Sequence, residues 1–513
     1  MVKITVKLTG LGLILVAGIG LVGYPLSVDA ADKNPDLVFT QQVINAPFSL
    51  THTLLAVDVL PNIGKELLAF GVDDDKQRWL GIFARIPESM RYSLVDKILL
   101  PFSFHCFDIS DEEEGTQQLY FQSSEHLLQF MPANKSAPFK VIADINPMTL
   151  KSRADYLSRG DFVKDLNGDN RADIMISGFT DITLLLTQEE GGFARQTLPI
   201  KPFINVYEKS VNYTESTLYL ADMNLDGHKD IVKIGEGELE SYFQTSQGGF
   251  NAIASYHPMR QALSGVDWWL KRDAFGNQLD QSSLVYRKVE EISDINNDGI
   301  TDIVLRYTKS SGVLDRVNDY EIFLGESKEG ELSFSIEPNS VIHAEGTLTG
   351  FEFIDIDNDD ILEVMVSGFD IGLSQIIGAL ISGSIDQDVY LFKMDGNGRF
   401  TKKPNISKEV ELSFSLTSGQ SGQPVIKLAD FNGDKYQDLL LSDGDTELKV
   451  YLGEPSSSLV GRRGEEIEVN LPKEGDMLSI ADLNYDGKDD ILIKYGRQDD
   501  VGLLSQFKVI ISE

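Results

Sequence analysis

The chain has 513 residues, 80 of them acidic and 45 basic, for a formal net charge of −35. That balance excludes nucleic acid as a partner, because affinity for a phosphate backbone rests on Lys and Arg. The lone cysteine, Cys106, excludes an internal disulfide.

At the amino terminus, Lys3 and Lys7 precede an apolar run that begins at Leu8, and Ser27-Val28-Asp29-Ala30-Ala31 places small residues where a signal peptidase reads. Residues 1–30 therefore read as a secretory signal cleaved after Ala30. Its apolar core is shorter than the roughly 20 residues of a bilayer span. Nothing later is long and apolar enough to span a membrane, so the expectation is a soluble, secreted or periplasmic protein with no membrane insertion after cleavage. Next comes Pro35 to Val43, a strand-like segment with no partner of its own nearby.

Two units with a strand-loop-strand outline follow. The first runs from Val57 through Asp58, Leu60, Asn62, Gly64 and Glu66 to Phe70; the second runs from Phe107 and Asp108 through Asp111 and Glu114 to Leu119-Tyr120-Phe121. In the first, Leu60 stands where an oxygen ligand is needed, so neither unit is expected to hold a metal.

From Asp165 onward the pattern D-x-N/D-x-D-x-x-x-D/E, followed by an apolar run, occurs six times. Its ligand-type positions are Asp165, Asn167, Asp169 and Asp173; Asp222, Asn224, Asp226 and Asp230; Asp294, Asn296, Asp298 and Asp302; Asp355, Asp357, Asp359 and Glu363; Asp430, Asn432, Asp434 and Asp438; and Asp482, Asn484, Asp486 and Asp490. Four side-chain oxygens within nine residues, with position 7 free to offer a carbonyl, suit a hard cation, and Ca²⁺ prefers six to eight oxygens. An EF-hand is excluded, since position 12 is Ile176, Lys233, Leu305, Val366, Leu441 or Ile493 and never the bidentate Glu. Gly227, Gly299 and Gly487 at position 6 allow a sharp turn. Asn170 tolerates the same backbone, whereas Asp360 and Lys435 suit it less.

Each loop leads into a short apolar run such as Ile303–Tyr307, Leu439–Ser442 or Ile491–Tyr495, the composition of a buried strand. The six starts are 57, 72, 61, 75 and 52 residues apart, a period that points to propeller blades rather than a helical solenoid. These units resemble FG-GAP/VCBS repeats, the calcium-loop blades of integrin α-chain propellers and of many secreted bacterial proteins. The resemblance covers nearly all of the chain after the leader. It implies an all-β fold, a β-propeller over residues 31–513 with Ca²⁺ in the loop that joins the first two strands of a blade. Six loop-bearing units and two without give eight blades, with seven as the alternative.

Around the last loop only three strands fit before the terminus: Leu478–Ala481, Asp490–Tyr495 and Leu503–Ile511. The segment near 35–43 is expected to supply the fourth and close the ring, leaving few exposed edges.

Catalysis finds little support. The six histidines are scattered without metal-site spacing, and no nucleophile elbow occurs. Two long intervals are the better places for function. One holds Val266-Asp267-Trp268-Trp269-Leu270-Lys271-Arg272-Asp273, where Trp beside Asp and Arg can stack on a sugar or grip a peptide. The other holds the glycine-broken apolar stretch Gly368–Gly383. The leading reading is a monomeric calcium-binding module for a protein or glycan ligand. A carbohydrate lyase or hydrolase on the same scaffold, and a structural part of a cell-surface assembly, are the alternatives.

Overall fold

Alternating runs of β-branched, aromatic and polar residues give the chain its strands, and turns rich in Asp, Asn and Gly separate them. The computed structural model describes Leu37–Glu513 apart from residues 62–63, 112–115, 149–152, 154, 208, 236, 274–275, 313–314, 345–346, 370–382 and 416–419. The secretory-signal reading of residues 1–30 lies outside the described residues, as does most of the Gly368–Gly383 stretch. Leu37–Glu513 forms one compact unit.

The strands assemble into six sheets of four or five strands, one of nine, and two small two-stranded ribbons. Neighbours within the larger sheets pair antiparallel in chain order, as in Asp173–Ser177, Ile182–Thr187 and Phe193–Leu198. The nine-stranded sheet is two such meanders touching at a single parallel pair, Asn318 with Thr347.

Packing between sheets shows how they are arranged. Among the described residues there are eight hydrophobic clusters, each drawing on two meanders that follow one another. One joins Leu440 and Val450 to Ile491 and Tyr495 of the last sheet. Another joins Leu492, Phe507 and Val509 of that last sheet to Leu67, Ala69 and Phe83 of the first. The cycle of interfaces therefore closes, and the fold is a β-propeller. Closure is hydrogen-bonded as well as apolar, since the last sheet contains both ends of the unit: Phe39–Asn45 pairs antiparallel with Gln506–Ser512 over seven residues. Leu503, read from sequence as the first residue of that final strand, belongs instead to a 3-10 turn over Val501–Leu503.

Chain direction assigns the two faces. In each meander the first strand ends at the acidic loop, so the connection between second and third strands, and the link to the next meander, lie on the opposite face. That face carries the ribbon of Phe203–Val206 and Val211–Thr214, the link holding Trp268 and Trp269, and the paired ends of Asp302–Gly312 and Asp315–Phe323.

Candidate metal centres

All six acidic loops join the first and second strands of a meander and fold on one backbone template. Positions 4 and 6 are left-handed in every copy: Gly168 and Asn170, Leu225 and Gly227, Asn297 and Gly299, Asn358 and Asp360, Gly433 and Lys435, Tyr485 and Gly487. The bend at position 6 was legible in the sequence; the one at position 4 was not, because Leu225 and Tyr485 (φ +61° and +58°) carry no glycine signal. Holding L-residues there costs about 1–3 kcal/mol each, and such strain persists only where its surroundings enforce it.

Hydrogen bonds supply that enforcement. The position-6 N–H donates to Oδ2 of the position-1 aspartate in all six loops, at 2.7–3.0 Å. The position-7 N–H donates to Oδ1 of the position-5 aspartate at 2.9–3.0 Å, again in all six. Position-3 asparagines accept the position-5 N–H through Oδ1, as Asn224, Asn296, Asn432 and Asn484 do. Each oxygen so used keeps a further lone pair. The turn therefore gathers oxygens around its own concavity without consuming their capacity.

Position 9 has a second role. Asp173, Asp230, Asp302, Glu363, Asp438 and Asp490 are fully buried. One carboxylate oxygen of each accepts the position-2 N–H at 2.9–3.2 Å. In five of them the other oxygen accepts an N–H at the end of the third strand, from Thr187, Gln244, Gly325, Gly453 or Ser512, at 2.7–2.9 Å. Burial, reinforced by the neighbouring loop carboxylates and only partly countered by these bonds, pushes Asp173, Asp302, Asp438 and Asp490 up to about 7 and Asp230 to about 6.

The ligandless first unit keeps the same pin. Glu66 is fully buried and accepts the N–H groups of Val59 and Leu60 at 2.9 and 3.0 Å. In the second, Asp108 accepts from Phe162 and Val163 at 2.6 and 2.9 Å, which ties one first strand to the next. The acidic stretch after Asp111 lies outside the described residues.

The carboxylates do not converge equally. Among the described residues, Asp355, Asp357 and Glu363 alone bring three acidic oxygens within 4.8 Å of one another. Asp357 Oδ1 and Glu363 Oε1 are buried there without a hydrogen-bond partner, an arrangement that fits a cation. The fourth loop also holds Lys393, whose Nζ bonds Asp357, lies 3.1 Å from Asp359 Oδ2 and 3.7 Å from Glu363 Oε1. In the first loop Arg171 bonds Asp169 from position 7.

On the opposite face the two tryptophans part company. Trp268 is buried, whereas Trp269 is 47 % exposed, edge-on to it at 5.5 Å. Arg306 lies over Trp269 and Arg316 over Trp268, and Asp267 bonds Arg306, so the link is fastened to the strand Asp302–Gly312. Nearby connections expose Phe179, Ile204, Val206, Val211 and Tyr213.

A closed ring of antiparallel meanders defines a β-propeller, here with an acidic loop repeated six times. Residues 430–493, which span the fifth and sixth loops, match the FG-GAP-like repeat. No curated protein matches the chain in sequence. Among solved structures the chain is similar to an Agrocybe aegerita lectin that recognises non-reducing terminal N-acetylglucosamine (14 % identity, 83 % of this chain and 96 % of that one, TM-score 0.43). It is also similar to the Dos1 propeller (10 %, 92 % and 94 %, TM-score 0.38) and the Nup133 β-propeller domain of Vanderwaltozyma polyspora (12 %, 85 % and 98 %, TM-score 0.36). No helix among the described residues is long and apolar enough to cross a membrane.

Proposed function

We propose that the protein is a secreted or periplasmic, eight-bladed β-propeller of the FG-GAP/VCBS type. Its acidic loops are cation sites that take Ca²⁺, and its opposite face binds a protein or glycan ligand. The observation that carries the calcium reading is the shared loop template: six copies spend two left-handed residues each, and in each the position-1 and position-5 carboxylates are held by N–H groups of the loop itself. Side chains at positions 1, 3, 5 and 9 with the position-7 carbonyl offer an oxygen set of the size Ca²⁺ uses, and water completes it. The binding reading rests on the opposite face, where the long connections leave Trp269 half exposed between cationic and apolar side chains.

The test is thermal unfolding across a calcium titration from chelator to a few millimolar, with magnesium as control. A site filled at about 100 times its dissociation constant contributes roughly 2.7 kcal/mol, so several sites raise the midpoint by many degrees. No calcium-specific shift would reduce the loops to turns. For the ligand face, Trp269→Ala is compared with the wild type on a glycan array and against peptidoglycan and outer-membrane fractions. Retention of every wild-type signal by the variant would remove this surface from the binding role.

A further inference from the structure

The fourth loop departs from the others at three places that belong together. Position 3 is Asp357, where the five other loops have Asn; position 9 is Glu363, where they have Asp. The third difference is 30 residues away in sequence and emerges from strand register.

In each meander the residue after position 9 pairs with a residue of the third strand: Ile174 with Leu185, Ile231 with Tyr242, Ile303 with Phe323, Val364 with Phe392, Leu439 with Tyr451 and Ile491 with Ile510. One step beyond that partner stand Leu186, Phe243, Leu324, Leu452 and Ile511 in five meanders, all apolar. In the fourth it is Lys393.

Charge follows the same logic. The ligand positions of five loops carry three carboxylates each, and those of the fourth carry four. With Lys393 included, the fourth returns to the same net charge. Its ammonium bridges positions 3, 5 and 9, meeting Asp357, Asp359 and Glu363. The longer Glu363 places its Oε1 out of hydrogen-bond reach of the third strand, where the aspartates of the other loops are held, and on the ammonium's side. Burial lowers the lysine's proton affinity, but the bonds to Asp357 and Asp359 and the charge of Glu363 outweigh it.

We propose that Lys393 is the resident cation of the fourth loop: a tethered ammonium occupies the place that calcium takes elsewhere, and this loop is filled at every calcium concentration. The proposal rests on the calcium reading of the other loops. A Ca²⁺ ion would sit about 2.3–2.6 Å from the oxygens that now face Nζ, and two cations cannot share that space. One blade of the loop face thus stays assembled when calcium is withdrawn, which gives apo protein a fixed point from which the other loops order.

Calcium equivalents per chain are measured by equilibrium dialysis and atomic emission for the wild type, Lys393→Met, and Asp357→Asn/Lys393→Met. The double variant restores Asn at position 3 and an apolar residue beyond the third-strand partner, leaves Glu363 as the remaining difference, and covers the case in which the single variant fails to fold. The expected result is one more equivalent in each variant than in the wild type. An unchanged number in folded variants would overturn the proposal. If no version binds calcium, the calcium reading fails by itself, and melting in chelator decides the role of Lys393. Lys393→Met is then expected to melt several degrees below the wild type, with Asp357→Asn recovering part of the loss; a variant that melts at or above the wild type would refute the tethered cation.

Discussion

Replacing Asp298 by Ala separates a ligand from a turn residue. Asp298 is exposed at position 5 of the third loop. It accepts the Ile300 N–H at 2.9 Å and takes the Asn296 amide at 3.0 Å. Both donors can turn to water once the carboxylate is gone, so in chelator the loss is that of exposed hydrogen bonds, about 1 kcal/mol in total. In calcium the variant also forfeits the site's binding contribution, about 2.7 kcal/mol at roughly 100 times the dissociation constant. Urea midpoints in the two conditions, analysed with one common slope, read the difference directly. Equal losses in both would make Asp298 a turn residue and remove calcium from the third loop.

Asp302, four residues on, responds differently. It is fully buried, with Ile295 and Gly325 N–H groups at 3.1 and 2.8 Å. Asp302→Ala strands both donors, at about 1–3 kcal/mol each. Part of that is recovered because a carboxylate that burial holds near 7 is no longer confined. A net loss is therefore expected even in chelator, where Asp298→Ala loses little, and it grows in calcium because position 9 is also one of the proposed ligands; melting in chelator equal to that of Asp298→Ala would refute the second role.

Two further outcomes follow from the ring and its core. Deleting residues 37–46 removes the strand that pairs with Gln506–Ser512 and bares the edge of the last sheet; the expected result is a lower melting midpoint and concentration-dependent association by light scattering, and an unchanged monomer would refute closure by this strand. His52 stacks on Tyr156 at 4.4 Å and sits edge-on to Phe70 and Phe107 at 5.5 Å. Burial drives it down to about 4, while the unfolded chain protonates it near 6.5. The unfolded state therefore takes up the proton first. Stability is level above about pH 6.5 and falls below it, by on the order of 3 kcal/mol at most by pH 4. His52→Gln should flatten that limb of the urea-midpoint profile; an identical profile would place the acid sensitivity elsewhere.

Much of this was legible because the loop chemistry repeats. Asp, Asn and Gly at fixed offsets before an apolar run announce a turn and a strand at once, and Leu478–Ala481 is found where it was expected. Elements lacking such punctuation were less visible. The closing strand was read near 35–43, and the structure places it at Phe39–Asn45, because the polar run Thr40-Gln41-Gln42 interrupts any apolar alternation that would set a register. Position 9 was read simply as a ligand. Its grip on the third strand involves backbone groups 14 to 23 residues away, such as Thr187 for Asp173, Gly325 for Asp302 and Ser512 for Asp490, for which no side-chain pattern gives a signal. Lys393 was hidden for the same reason, since its partners are defined by strand pairing rather than by spacing along the chain.

The loops are also joined to one another, and this bears on how the face responds to cations. Position 8 of one loop repeatedly bonds the start of the loop before it. Thr301 Oγ1 donates to the Asp222 carbonyl at 2.7 Å. The N–H groups of Gln437 and Asp489 donate to the carbonyls of Ile356 and Asp430 at 2.8 and 2.6 Å, and that of Lys65 in the ligandless first unit reaches Leu483 at 3.0 Å. Asp489 Oδ2 in turn accepts the Asp430 N–H at 2.9 Å. Because these bonds hold positions 1 and 2, where each acidic loop begins, ordering one loop fixes the first residues of its neighbour. Coupling of this kind is reciprocal: whatever one loop contributes to the affinity of the next, the next contributes in return. The net charge of −35 works the other way, since every vacant loop adds carboxylates that repel those beside it. A loop that carries its own ammonium relieves this repulsion without waiting for an ion. Its location beside Gln437 of the fifth loop then makes the fourth and fifth loops the segment where order on the acidic-loop face is expected to survive longest in chelator.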